Sequence, residues 1–351
     1  MRIAQISPLT EAVPPKLYGG TERVISWLTE ELVGLGHDVT LFASGDSRTS
    51  AQLKAVWPHA LRLDGSIRDP MGLHMTMLEQ VRRRADEFDF LHFHLDYYPF
   101  SLFSRHTTPF LTTLHGRLDL PELQPVFNTF SSLPVISISN AQRRPVPQAG
   151  WVRTVYHGLP ADLLGPQAAT PTYLAFLGRI SPEKRVDRAI RIAERCGLPI
   201  KIAAKVDKVD QDYFDEQIKP LMSLPFVDYI GEIADGQKSE FLSGAIGLLA
   251  PIDWPEPFGL VMIEAMACGT PVIAFNRGSV PEVVDEGVTG FVVEDETSAV
   301  AAVSQLANVS REGVRQRFEE RFTARRMATD YLQVYRELAE QASPRLRLAT
   351  G

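Results

Sequence analysis

Trp254-Pro255-Glu256-Pro257-Phe258-Gly259-Leu260-Val261-Met262-Ile263-Glu264-Ala265 is the stretch on which the reading of this chain turns. It predicts a loop, then a helix from Phe258 to about Cys268-Gly269, with a proline at or near the first helical turn, where a missing N–H costs nothing. The backbone N–H groups of Phe258, Gly259 and Leu260 then leave the helix start at the positive end of its dipole, which suits an anion. Glu264 falls about two turns in, roughly 9 Å along the axis from Phe258 at ~1.5 Å per residue. Two carboxylates so placed can bracket a nucleoside diphosphate sugar, with Glu256 facing sugar hydroxyls and Glu264 the ribose. An arbitrary pair of glutamates is more often a solvated helix acid and an N-terminal helix acid. Here the apolar residues on both sides of Glu264 leave almost no polar face, so it is expected to be buried, and a buried carboxylate needs a partner. A ribose would serve.

The segment resembles the E-x7-E signature of retaining glycosyltransferases with two Rossmann-like domains, specifically glycosyltransferase family 4. That resemblance implies the two-domain fold known as GT-B and a nucleotide diphosphate sugar as donor.

A chain of 351 residues exceeds the size at which one core keeps growing, so two domains are expected. Its 44% hydrophobic and 23% charged residues are ordinary for a globular protein. The net charge of −7 argues against a nucleic-acid partner. Arg82-Arg83-Arg84 is a local basic run, read first as a solvated helix face, with peripheral contact to the inner membrane face left open. The two cysteines, Cys196 and Cys268, are too few for a disulfide framework or a metal cluster and are expected to be reduced core residues. The N-terminus reads as a strand at once, and no apolar run approaches the ~18 residues a span needs. These features are those of a cytoplasmic protein.

Short apolar runs alternate with helical patterns. Strands are expected at Arg2–Ile6, Val39–Ala43, Phe90–Phe93, Phe110–Leu114 and Val135–Ile138, then at Tyr173–Gly178, Ile200–Ala204, Val227–Ile230, Gly247–Ala250 and Val272–Phe275. Helices fit between them, from Thr21 to Leu35 and from Lys184, Asp210, Gly236, Phe258 and Pro281. Such alternation predicts an α/β fold of two doubly wound parallel sheets with helices on both faces. The stretch Gly158 to Thr172 holds Pro160, Gly165, Pro166 and Pro171 without helical period and is taken as the linker. The domains are accordingly 1–165, 166–323 and a terminal helix within 324–351, which by the resemblance crosses back to the first domain. Ligands of doubly wound sheets bind at strand carboxyl ends, so two such domains would face a cleft.

After the expected strand Tyr173–Gly178 comes Gly178-Arg179-Ile180-Ser181-Pro182-Glu183-Lys184, which resembles the family's G-R-[LI]-x-x-x-K element. Lys184 in a first helical turn would oppose the dipole, which points to a diphosphate bound by Arg179 and Lys184. The plainer alternative pairs them with Glu183 or Asp187 on the surface. Tyr18-Gly19-Gly20-Thr21 lies between the first strand and first helix; Gly19 and Gly20 let backbone approach a ligand, and the resemblance places this loop at the donor phosphate. It is not G-x-G-x-x-G, which disfavours a dehydrogenase. His115, in Thr112-Thr113-Leu114-His115-Gly116, follows a strand, and the resemblance has it contact the transferred sugar. His92 and His94 share a strand face, as residues two apart must, but no third metal ligand is evident. The resemblance has them structural or lining the acceptor side.

His157 stands where relatives commonly carry asparagine, and Ser279 replaces a glycine in Asn276-Arg277-Gly278-Ser279-Val280-Pro281-Glu282. Lys205, where many relatives have a glycine-rich turn, and Ile233, at the end of the base-side segment Val227–Ile233, are secondary candidates for donor contact. The resemblance implies transfer of a hexose-type sugar, with retention, to a glycan, lipid-linked or small-molecule hydroxyl. Glu256 and His115 would act with Arg179 and Lys184, which with Phe258, Gly259 and Leu260 would stabilise the leaving diphosphate. No cofactor and no metal are expected. A nucleotide-sugar epimerase or glycan phosphorylase on the same architecture, and a non-catalytic nucleotide-sugar sensor, are the alternatives.

Overall fold

The computed structural model describes residues 1–16 and 19–349, with the side chains of 63 and 343–349 left out, so Tyr18 of the glycine loop lies outside the described residues. The chain forms two compact units, Met1–Gly158 with the chain from Ala324 onward, and Leu159–Thr323.

The first unit is a seven-stranded sheet of β1 (Arg2–Ile6), β2 (Asp38–Ser44), β3 (Gln52–Trp57), β4 (Phe90–Phe93), β5 (Phe110–Thr113), β6 (Val135–Ser137) and β7 (Trp151–Thr154). The strand order is β3-β2-β1-β4-β5-β6-β7 and every pair is parallel. The second unit is a six-stranded parallel sheet of β8 (Tyr173–Ile180), β9 (Ile200–Val206), β10 (Val227–Gly231), β11 (Ala245–Ala250), β12 (Val272–Phe275) and β13 (Gly290–Val293), ordered β10-β9-β8-β11-β12-β13. Both are doubly wound, as the alternation predicts. The central strands are buried along their length because helices cover both faces, which is why they read as apolar runs. Three strands the sequence does not announce, β3, β7 and β13, all lie at sheet edges. β3 and β7 are only part-buried, so their apolar pattern is weak.

Helix α1 (Gly20–Gly34) buries Val24, Ile25, Leu28 and Leu32 on the first sheet. The terminal helix spans Ala324–Ala349 and belongs to the first unit. Met327, Tyr331, Val334 and Tyr335 on its inner face are fully buried, and Tyr335 stacks on Phe90 with ring centroids 4.5 Å apart. In the second unit α2 (Val186–Cys196), α3 (Asp235–Ser243) and α4 (Leu260–Ala267) matter for the site, and α5 (Arg311–Arg321) packs on α4.

Two helix starts differ from expectation. Arg185 caps α2 in the left-handed conformation at φ 54°, so α2 begins at Val186 and Lys184 lies in the loop before it. The conflict with the dipole inferred for a first-turn Lys184 therefore does not exist. Gly259 caps α4 at φ 83°, so that helix begins at Leu260 and Pro257 lies ahead of its first turn. Glu264 is the fifth residue of α4, little more than one turn in.

Cys268 is buried, whereas Cys196 at the end of α2 is only partly so, and both are free thiols. Arg82, Arg83 and Arg84 pair with Glu79 and Glu87, so most of the charge of the basic run is answered locally. Among the described residues no helix is long and apolar enough to cross a membrane.

Candidate active site

In the second sheet the strand order reverses between neighbours β8 and β11, and the loops leaving these two strands carry the predicted residues. That is the topological switch point at which doubly wound sheets hold ligands. The two loops are tied together, since Asp253 N donates to the Glu183 carbonyl at 2.9 Å and Asp253 accepts from Arg185 and Arg188.

Across this junction Lys184 Nζ donates to Glu256 Oε2, and Trp254 Nε1 donates to the same oxygen at 2.8 Å. The ammonium also lies 5.2 Å from the Trp254 ring centroid. Lys184 is part-exposed, whereas Glu256 is 8% exposed, so its carboxylate is largely shielded from water. Its Oε1 makes no hydrogen bond among the described residues and remains available as an acceptor.

The loop Asn276–Ser279 braces this segment. Ser279 N donates to the Glu256 carbonyl at 2.9 Å and its hydroxyl to the Phe258 carbonyl at 2.8 Å, which gives the serine at this position a structural task. Gly278, at φ 55°, packs against the Glu256 backbone so closely that any Cβ would overlap it. Phe258 is buried, with its ring edge-on to Phe322. Leu260 and Val261, as the first residues of α4, have N–H groups without intrahelical acceptors.

Glu264 is 5% exposed, as expected, but its partner is a residue the sequence reading did not name. Lys238 Nζ on α3 lies 2.7 Å from Glu264 Oε1 and 3.0 Å from Asp235 Oδ1. The buried carboxylate is thus satisfied by the protein itself, and a ribose is not required for that purpose. Glu264 Oε2 makes no hydrogen bond among the described residues. The one available signal was physical, that a buried acid demands a cation; no spacing links positions 238 and 264.

Arg179, within β8, is engaged by carboxylates. It donates to Glu183 and lies 3.5 Å from Asp207 and 3.7 Å from Asp210. Lys205, opposite Arg179 in the β8–β9 register, pairs with Asp207 at 2.8 Å. Burial pushes the Asp210 carboxyl up, against the nearby Arg179 charge. The Glu183 half of the plainer reading is therefore realised, and a diphosphate would have to replace carboxylates around Arg179. Ile233 is half-buried just before α3.

In the first unit Gly19 caps α1 in extended backbone that any residue adopts, and Gly20 opens the helix. Gly19 is small for lack of room, because a Cβ would come within 2.9 Å of Glu22 Oε2 and of Pro15 Cβ. Glu22, not anticipated, is buried under this loop. Burial, with Glu11 adding to it and a backbone hydrogen bond opposing, pushes its carboxyl up to about 7.

The histidines at the carboxyl ends of β4 and β5 come together. His94 Nδ1 lies 2.8 Å from His115 Nε2, the His92 and His94 ring centroids are 4.0 Å apart, and His157 stacks on His115 at 5.3 Å. Among the described residues no group of three or more His, Cys, Asp or Glu is arranged to hold a metal ion. Burial holds all four rings below the ordinary histidine value, His115 at about 3. Between that value and about pH 6.5 these rings bind more protons in the unfolded chain than in the folded one, so their contribution is full above about pH 6.5 and falls as pH drops; the raised Glu22 carboxyl opposes this, as one group against several. Each of the fully enclosed rings His92, His94 and His157 contributes a loss of up to about 1.4 kcal/mol per pH unit. Urea midpoints should therefore fall between about pH 7.5 and about pH 5.5, and less steeply once His92 is replaced by Phe. A flat profile would show that the rings are not buried neutral.

Comparison with known proteins fits this geometry. Residues 18–161 match the model described as Glycosyltransferase Family 4, and residues 166–325 match Glycosyl transferases group 1. A D-inositol 3-phosphate glycosyltransferase of Saccharomonospora viridis is 32% identical over 199 residues, 51% of this chain and 44% of the relative. The chain spans about half the length of the curated relatives it matches. Among solved structures, a sucrose-phosphate synthase from Thermosynechococcus elongatus superimposes with TM-score 0.80 at 20% identity, covering 96% of this chain and 98% of the other. Anabaena HepE, solved in complex with UDP and glucose, gives TM-score 0.73 at 20% identity, covering 96% and 100%. Both share the two-sheet GT-B fold. With the two family models lying end to end along its two doubly wound sheets, the chain belongs to glycosyltransferase family 4.

Proposed function

We propose that the chain is a retaining glycosyltransferase, independent of metal, that moves a hexose-type sugar from a nucleotide diphosphate sugar to a hydroxyl acceptor. The observation that carries this is the Lys184–Glu256 pair beside the start of α4, at the switch point between β8 and β11. A cation and free helix N–H groups at one end suit a diphosphate. The unoccupied Oε1 of Glu256 suits a sugar hydroxyl, and Oε2 of Glu264, farther along α4, suits the ribose. Arg179 joins the phosphate side by exchanging its carboxylate partners, with Lys205 as a reserve of charge and Ile233 on the base side. The family resemblance adds Gly19, Gly20 and His115 of the first unit as donor contacts, with His115 assigned to the transferred sugar. Charge developing on the leaving diphosphate then meets groups already in place, which requires no reorganisation at the moment of bond cleavage. Transfer from the same face of the sugar preserves the anomeric configuration without a protein nucleophile.

HepE, whose structure holds UDP and glucose, supports a nucleotide donor of this class. A thermal-shift panel of UDP, GDP, ADP and their sugars identifies the base. The bound nucleotide, at about 100 times its dissociation constant, is expected to add about 2.7 kcal/mol of stability. No shift with any of them would remove the donor reading.

A further inference from the structure

The buried histidines of the first unit form part of one hydrogen-bonded chain. His94 Nε2 lies 2.8 Å from Gln5 Oε1, and His94 Nδ1 lies 2.8 Å from His115 Nε2. A neutral imidazole has one donor and one acceptor nitrogen, and burial keeps both rings neutral. Gln5 Oε1 only accepts, so His94 Nε2 carries the proton. His94 Nδ1 must then accept, and the donor is His115 Nε2–H. That leaves His115 Nδ1 with a bare lone pair.

The other end of the same amide holds this polarity. Gln5 Nε2 donates to Tyr335 Oη at 3.2 Å, which frees the Tyr335 hydroxyl to donate to His92 Nδ1 at 2.7 Å. His92 Nε2–H then meets Thr113 Oγ1 at 2.8 Å, and that hydroxyl lies 2.9 Å from Tyr331 Oη. Each of these linking donors finds an acceptor. Rotating the Gln5 amide by half a turn would reverse every proton along the chain and make His115 Nδ1 a donor. His115 Nδ1 is the loose end, buried with no hydrogen-bond partner among the described residues. A buried acceptor without a partner is a lesser defect than a buried N–H without one, which favours the polarity described. Either way, an atom so placed calls for a partner beyond the described residues, which a hydroxyl can supply.

We propose that Gln5 is a positioning residue that acts through His94 to fix His115 as its Nε2–H tautomer, so that Nδ1 presents an acceptor to a ligand hydroxyl. The identity of that hydroxyl as the transferred sugar's rests on the function proposed above; the tautomer does not. The shared chemistry is a hydroxyl donor, sugar or water, and the test separates them.

Long-range proton–nitrogen spectra of histidine-labelled protein without ligand read the tautomers directly. The expected result is a proton on Nε2 of both His94 and His115, with the competing tautomer of His115 populated about tenfold less, the bias of one ordinary hydrogen bond. A proton on His115 Nδ1 overturns the proposal. Gln5→Met keeps the volume and removes both poles of the amide, and should leave His115 a mixture of tautomers. Gln5→Glu offers only acceptors and should restore the single form; Gln5→Met with an unchanged spectrum overturns the role of Gln5. The same spectra in UDP-glucose, GDP-mannose and ADP-glucose identify the hydroxyl. A displaced His115 Nδ1 resonance assigns it to the sugar. A nucleotide sugar that raises Tm yet leaves Nδ1 unmoved overturns the sugar contact and assigns the partner to water, without touching the tautomer result.

Discussion

Replacing Glu256 by alanine is expected to lower sugar-transfer turnover by about 10²–10³-fold, the scale on which a single preorganised polar contact to the reacting centre acts. The side chain holds Lys184 and Trp254 on one oxygen, and the other is the one proposed to meet the substrate. Alanine removes both functions, so the loss combines a missing sugar contact with a Lys184 no longer aimed. Lys184→Met separates them, because it removes the cation and leaves the carboxylate under Trp254. If Lys184 acts partly by orienting Glu256, the double variant will lose less than the product of the single losses, since residues in one network are not additive. Single-turnover cleavage of the stabilising nucleotide sugar reads this without knowledge of the acceptor. Turnover within about twofold of wild type in a folded Glu256→Ala protein would remove Glu256 from the site.

Lys238→Ala is expected to cost about 3–5 kcal/mol of folding stability, because it strands the Glu264 carboxylate in the second unit without its cation. Both side chains are nearly enclosed, at 11% and 6% exposure, so solvent offers little relief. The paired substitution Lys238→Met with Glu264→Leu fills the same space without charge and should recover most of the loss, as apolar replacements of buried pairs do. That double variant is the cleaner test of Glu264. It folds, yet it lacks the carboxylate proposed to hold the ribose, and losing a charge-assisted hydrogen bond should weaken nucleotide binding by about 1.5–3 kcal/mol. Urea unfolding and calorimetric titration measure the two quantities. Recovered stability with unchanged nucleotide affinity would confine Glu264 to a structural task.

The contrast between these glutamates shows what a sequence discloses. The central strands were legible because helices cover both faces and make them continuous apolar runs. β3 and β7 were not, because an edge strand half open to water carries no such pattern. The helix starts moved by two residues for one reason in each case: Arg185 and Gly259 adopt left-handed backbone, which depends on tertiary contacts and not on local pattern. That Glu264 is buried followed from its apolar flanks. That Lys238 answers it did not, since the pair is made between α3 and α4 once both pack on the sheet. Arg179 likewise stood out by its motif, but two of the three carboxylates around it, Asp207 and Asp210, come from the segment after β9, which no local spacing links to it. The histidines could be listed from the sequence, whereas their chain of protons through Gln5 and Tyr335 required the terminal helix in place.

The central claim is that the nucleotide diphosphate sits at the switch point of the second sheet. Hydrogen exchange of the chain saturated with whichever nucleotide raises its Tm tests this most directly. The account predicts slowed exchange of the amides from Phe258 to Glu264 and of the loop from Arg179 to Lys184, with weaker effects elsewhere in the second unit. Slowed exchange confined to other segments, with these amides unchanged, would contradict it.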